Sequence, residues 1–169
     1  DMRKIVFRYG CYGAITICVL FLAAWFLANG QSYAVQEFIG YAVMIVSLSF
    51  VFFGIKQFRD TENDGKISFK KALTLGVLIS GIVAIVFGIL DVIYVEILNP
   101  DFMDEYYARS IEQMRASLPE SEFEVKLVEM EAQKSTFSNP LFTFLIMGMT
   151  VFVIGFIISL LSSLLLQRK

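Results

Sequence analysis

Four long apolar runs, parted by polar segments of unequal length, organise the chain. The first is Tyr9 to Ala28 and the second Phe38 to Ile55. The third runs from Ala72 to Leu90 and past Asp91 to about Leu98; the fourth is Leu141 to Leu166. Each is long enough to cross a bilayer, whose hydrocarbon core takes about 20 apolar residues of helix. Inside lipid every backbone N–H and C=O must be paired internally, and unbroken apolar runs, rather than alternation, select helices over barrel strands. The predicted fold is all-α: an integral membrane four-helix transmembrane bundle with a two-helix extracytoplasmic insertion between spans 3 and 4.

That insertion shows a different periodicity. Met103, Tyr107, Ile111, Met114 and Leu118 recur at helical spacing and form an amphipathic stripe. Phe123, Leu127 and Met130 then mark one face, with Glu122, Glu124, Glu129 and Glu131 on another. Ser117-x-x-Glu120 has the form of a capping box. Two helices follow, roughly Asp101 to Ser117 and Glu120 to Lys134. A hairpin lying over the bundle's outer mouth is the expectation; a docking surface for a partner protein is the functional reading. The chain thus divides into residues 1–98, holding three spans and a loop at 56–71, residues 99–139 as the hairpin, and residues 140–169 as the last span and basic tail.

Composition sharpens the membrane reading. The chain is 57% hydrophobic and 18% charged, against about 45–50% and about 25% in soluble domains. Lys and Arg accumulate on the cytoplasmic side of membranes. Ten of the fourteen lie at the termini or in the 56–71 loop, whereas the 99–139 segment holds four against nine carboxylates. Both termini are therefore expected in the cytoplasm and the hairpin in the periplasm. An acidic outer segment also argues against nucleic acid as a partner. The first run exceeds a signal peptide's usual h-region of about 7–15 residues, so it is expected to be retained, with Asp1 ahead of Met2 either an added residue or a remnant of processing. Cys11 and Cys18 read as small hydrophobes on one face of the first span.

The stretch Asp60 to Lys71, "DTENDGKISFKK", resembles a calcium loop until its last position. There an EF-hand needs a bidentate Glu, and here stands Lys71. Turn chemistry at Asn63-Asp64-Gly65 and a helix cap at Ser68 account for the same residues. Arg59, Lys66 and Lys70 are candidate cytoplasmic contacts.

Within the spans, Gly76, Ser80, Ala84 and Gly88 repeat every four residues, with Gly81 beside them; Gly155, Ser159 and Ser163 form a second small face after Gly148. Such faces let helices approach closely. Packing within the chain is the preferred reading, and a homodimer through these faces the alternative. Asp91 continues the packed face of span three. An ionisable residue in a membrane is a functional candidate by default, yet Asp91 lies near the outer boundary, where hydrogen bonding to the hairpin, to Arg109 for instance, would account for it. The chain has no histidine, which excludes His-ligated zinc and His-dependent triads. It has no phosphate-cradling glycine motif either. No metal, cofactor or catalytic residue is expected. Tyr9, Tyr12, Trp25, Tyr33, Tyr41, Tyr106 and Tyr107 fall near predicted interfaces, as belt residues do.

Phe53-Gly54-Ile55-Lys56, Phe58-Arg59, Gly65-x-Ile67-Ser68-Phe69 and Gly76 resemble a family of small four-span membrane proteins from Bacteroidetes, a domain of unknown function. The resemblance extends more weakly to Asn99-Pro100 with the following helices, and to Gly155 with the Ser-rich fourth span. It implies the fold, inner-membrane residence and a Gram-negative source, and brings no catalytic residues. The expected function is non-enzymatic: an accessory or scaffold subunit that sits among membrane lipids and binds a membrane enzyme or envelope complex. The alternative is a small, dimerising transporter or flippase-like protein for a lipid-linked or small substrate, with Asp91 at its outer gate.

Overall fold

The computed structural model describes all 169 residues and is all-α. Its helices are α1 (Met2–Leu27), α2 (Tyr33–Gln57), α3 (Phe69–Ile93), α4 (Phe102–Ser117), α5 (Glu120–Phe137) and α6 (Pro140–Leu166). π-helical turns at Phe58–Glu62 and Tyr94–Leu98 prolong α2 and α3. Met2–Leu27, Tyr33–Glu62, Phe69–Leu98 and Pro140–Leu166 are long and apolar enough to span a bilayer, and the chain is a multi-pass membrane protein. Its outward-facing residues agree with that solvent: Leu27 and Leu165 are 82% and 77% exposed. In lipid an outward leucine loses nothing, because the surroundings are as apolar as the core.

The fold consists of two compact units. The first comprises Asp1–Phe87 and Met147–Lys169, the second Gly88–Ile146. The second is larger than the 99–139 segment defined by polarity, because it takes the last turns of the third span and the first turns of the fourth.

In the first unit α3 is central. Leu75, Ile79, Ser80 and Val83 are fully buried, among Ile17 of α1, Leu48, Val51 and Ile55 of α2, and Val151 of α6. The close approaches are made by glycine. A Cβ on Gly76 would lie 2.5 Å from Ser159 Oγ and 2.7 Å from Ser159 Cβ. One on Gly155 would lie 2.5 Å from Ser80 Oγ. The two small faces therefore pack on each other, antiparallel, within one chain. Ser80 and Ser159 face across the seam at 3.4 Å, and the hydroxyls of Ser159 and Ser163 donate back to the carbonyls of Gly155 and Ser159. Gly10 and Gly13 of α1 meet Ile82 and Val83 of α3, and Gly54 of α2 meets Ile79; spacing alone did not single out these three. Gly81, by contrast, faces open space and takes no part in the packing.

In the second unit α4 and α5 mix apolar with charged positions. Tyr107 of α4 and Phe123 of α5 are its buried aromatics. Arg115 lies 5.2 Å from the Phe123 ring centre, and Lys134 pairs with Asp104 at 2.6 Å. Tyr94, Phe102, Tyr106 and Tyr107 form a succession of ring contacts. Gly88 leaves room for the Phe144 ring.

Several expectations need correction. The Ser117 hydroxyl bonds back to the carbonyls of Gln113 and Met114 and closes α4, so there is no capping box; Pro119 takes the N-cap position of α5 without a side-chain bond. Tyr107 is hairpin core and not a belt residue. α1 extends beyond the first apolar run, back to Met2. The α4 and α5 boundaries otherwise fall within three residues of those read from periodicity.

Candidate functional site

The 56–71 loop is bound to both chain ends. Beyond the π-helical turn, Asp64 and Gly65 have φ of 52° and 75°, left-handed values that Gly and, among other residues, Asp most readily adopt. The Gly65 amide donates to the Arg59 carbonyl at 2.8 Å, and Asn63 Nδ2 donates to the Lys66 carbonyl at 2.6 Å. The turn delivers Ile67, which is 1% exposed, to the chain's tail. There Ile67 and Arg168 exchange both backbone hydrogen bonds, at 3.0 and 2.9 Å. Ser68 Oγ then accepts from the Lys71 amide at 3.3 Å, capping α3 as its sequence position predicts.

Charged groups complete the junction. The amino terminus pairs with Glu62, and the Tyr9 hydroxyl bonds Gln57. Lys71 Nζ stands 4.9 Å from the Phe58 ring centre. Arg59 is 6% exposed; its Nε donates to Asp60 at 2.6 Å and its Nη1 to the Leu166 carbonyl at 3.3 Å. Arg59 is therefore not a contact residue. It is a buried cross-link that satisfies one of the carbonyls left open at the end of α6. Lys66 and Lys70 remain exposed, as do Arg3, Lys4, Arg8, Lys56, Lys71, Arg168 and Lys169. Nine solvent-facing cations thus gather in the termini and this loop. Asp60, the first ligand position of a calcium loop, is turned to Arg59, and nowhere do three His, Cys, Asp or Glu side chains come together.

In the second unit Asp91 is only 7% exposed. No side chain donates to it, and its carboxylate keeps a sliver of surface. Arg109 is exposed and makes no bond with it, which corrects the expected link to the hairpin. Tyr94, one turn on, is buried and accepts from Asn99 Nδ2 at 2.9 Å. An ionised carboxylate held out of water without a partner is costly, and such a group in a membrane segment is a functional candidate. Two shallow grooves of about 220 and 260 Å³ also mark this unit. One lies between α4 and α5 beside Tyr107 and Lys134, the other beside Glu96, Pro100 and Ser138. Neither includes Asp91.

The structure brings Gly76, Ser80, Gly155 and Ser159 of the two small-residue faces into one seam, sets Ala84 against Gly148 and turns Gly88 to Phe144. Sequence reasoning did not find Ile67 or the buried role of Arg59. Their partners lie about a hundred positions away, and no local pattern announces them.

A family model described as "Protein of unknown function (DUF4199)" matches residues 8–168. No curated protein and no solved structure matches the chain.

Proposed function

The chain belongs to the DUF4199 family, and from that premise we propose that it is a non-enzymatic accessory or scaffold subunit of the bacterial inner membrane. The observation supporting this most directly is the close packing of the bundle. Each of its four helices approaches another through glycine at distances that would not admit a Cβ. Helices joined in this way have little freedom to rock apart, which suits a rigid platform. The loop and tail are tied together as well, by Ile67 with Arg168 and by Arg59 with Leu166.

In this reading the exposed cations of the termini and loop face the cytoplasm and its anionic headgroups, following the usual bias of Lys and Arg. The acidic α4–α5 hairpin then faces the periplasm. Lys66 and Lys70 are the cytoplasmic contacts, without Arg59. The native mass spectrum of the protein, extracted from its own membranes in mild detergent, tests this. A stoichiometric second polypeptide that Lys66→Gln/Lys70→Gln weakens is the expected result. A homodimer carrying retained lipid and no other chain would overturn it.

Asp91 supports a second reading, a small transporter or flippase-like protein. Its buried, unpartnered carboxylate has no structural duty in its surroundings. On that reading Asp91→Asn abolishes flux in reconstituted vesicles while the fold stays intact; on the subunit reading it alters stability alone.

A further inference from the structure

The α5 helix has two apolar faces, and its own hairpin uses only one. Phe123, Leu127, Met130 and Lys134 turn toward α4, where Phe123 is buried and Lys134 reaches Asp104. A second line, Ser121, Val125, Val128, Ala132 and Ser135, is exposed throughout, with Val125 at 61% and Val128 at 67%. Its spacing of four, three, four and three is that of a coiled-coil seam. Both flanks of this seam are acidic: Glu122 and Glu129 on one side, Glu124 and Glu131 on the other, all exposed. The free face of α4 differs, being built from Glu105, Arg109, Glu112 and Gln113. A solvated helix needs a face like that of α4. It does not need two valines in register between four glutamates.

We propose that this face of α5 docks a helix of a partner protein whose own apolar seam is flanked by Lys and Arg. The proposal rests on the subunit reading and names the surface it uses. Charge selects the occupant, because flanking positions set partner choice in helix pairs. A second copy of this chain would bring glutamate against glutamate, a repulsion that works as discrimination against self-pairing. A basic helix would face all four, competing at Glu129 with Lys126 of the same helix, 3.9 Å away. The small side chains of the seam admit a close approach, and the exposed flanks make the contact sensitive to salt.

The test uses the full chain in lipid nanodiscs and three synthetic fluorescent helices of equal length. One has a leucine seam flanked by lysine, one the same seam flanked by glutamate, and one is a scrambled peptide of the first composition. The lysine-flanked helix is expected to bind, the glutamate-flanked helix not to bind, and the scrambled one to bind at least tenfold more weakly. Val125→Asn/Val128→Asn and Glu124→Gln/Glu131→Gln should each weaken binding at least tenfold; all four positions are solvent-facing, so the hairpin keeps its helicity. Equal binding of the scrambled peptide overturns the proposal, as does no binding. So does self-association of the chain that Val128→Asn abolishes, or binding in detergent that disappears in nanodiscs because lipid covers the face. The native mass spectrum separates the two levels. A second polypeptide that persists in Val125→Asn/Val128→Asn removes this surface alone, whereas its absence from the unaltered protein removes the subunit reading and this inference together.

Discussion

In the bundle α3 meets α6 where side chains are missing; in the hairpin α4 meets α5 where side chains are large. Gly76 and Gly155 admit Ser159 and Ser80 to distances that any Cβ would block. Tyr107 and Phe123, by contrast, fill their interface with rings. The composition of the helices goes with the difference: α3 and α6 are apolar nearly all round, whereas α4 and α5 carry charged side chains along their length. In lipid a leucine is as comfortable outside as inside, so hydrophobicity cannot sort the faces of α3 and steric fit must. In water burial of apolar area is itself the driving force, at about 25 cal/mol per Å², and a ring is the densest way to use it.

The largest expected effect follows from filling the missing space. Gly76→Leu and Gly155→Leu each force α3 and α6 apart and should destabilise the bundle by about 3 kcal/mol or more, at or beyond the usual cost of overpacking. Denaturation in mixed micelles, followed by circular dichroism, measures this. The comparison is sharper in a double substitution. Gly76→Ala alone should be destabilising, and Ser159→Gly added to it should restore most of the loss, because the Cβ has only moved to the other helix. Failure of that rescue would show that the seam is not what holds the two helices in register.

Phe123→Ala makes the opposite test in the hairpin by taking substance away. The ring keeps a little exposure, so the loss should be about 2–3 kcal/mol, under the usual range for a deeply buried ring. It should remain local. Hydrogen exchange should rise across residues 102–137 and stay unchanged in α1 and α2, as expected of two units that open separately. A uniform rise would instead mean that the two units share one cooperative transition.

How far the sequence announces the fold follows the same division. The spans are legible because about twenty unbroken apolar residues have few other uses, and α4 and α5 because their stripes keep a 3.6-residue period. The small faces of α3 and α6 are legible because they repeat every four residues. Gly10, Gly13 and Gly54 are not, since nothing local distinguishes a glycine that touches a neighbouring helix from one such as Gly81 that does not. Ser117-x-x-Glu120 misleads because a serine hydroxyl can turn back to the preceding carbonyls as readily as forward to the next helix. Arg59 misleads more deeply. Charge patterning takes a cation in a loop to be solvated, and only the meeting of that loop with the end of α6 buries this one.

The Arg59 junction provides a smaller, local prediction. Arg59→Met keeps much of the volume but leaves the Leu166 carbonyl and Asp60 without their donor. The bundle should stay folded while the tail detaches: amide protection at Ile67 and Arg168 should fall, with the spans unaffected. Lys66→Met is the control and should change neither amide, since Lys66 is exposed and bonded through its backbone alone. Equal effects from the two would mean that loop charge in general, and not the buried cross-link, holds the tail.

The smallest expected effect lies in a property that the hairpin core has and the α3–α6 seam lacks, an ionisable group. Burial pushes the Tyr107 hydroxyl above its ordinary value of 10.0, with Tyr106 adding to the rise and Lys134 opposing it. A group whose folded value is raised favours the folded state while it is neutral. Its contribution is therefore whole below pH 10.0 and is lost as pH climbs through the higher folded value. The seam of Gly76, Ser80, Gly155 and Ser159 contains nothing that titrates in that window. Spin labels at Arg109 and Gln133, exposed on α4 and α5, in a background of Cys11→Ala/Cys18→Ala, report the hairpin; a pair at Leu78 and Ile157, exposed on α3 and α6, reports the seam. Above pH 10.0 the hairpin distances should broaden while the seam distances hold, and Tyr107→Phe should reduce the broadening. If Tyr107→Phe leaves it unchanged, the Tyr107 hydroxyl is not what loosens the hairpin at alkaline pH, and the hairpin core resembles the seam in this respect.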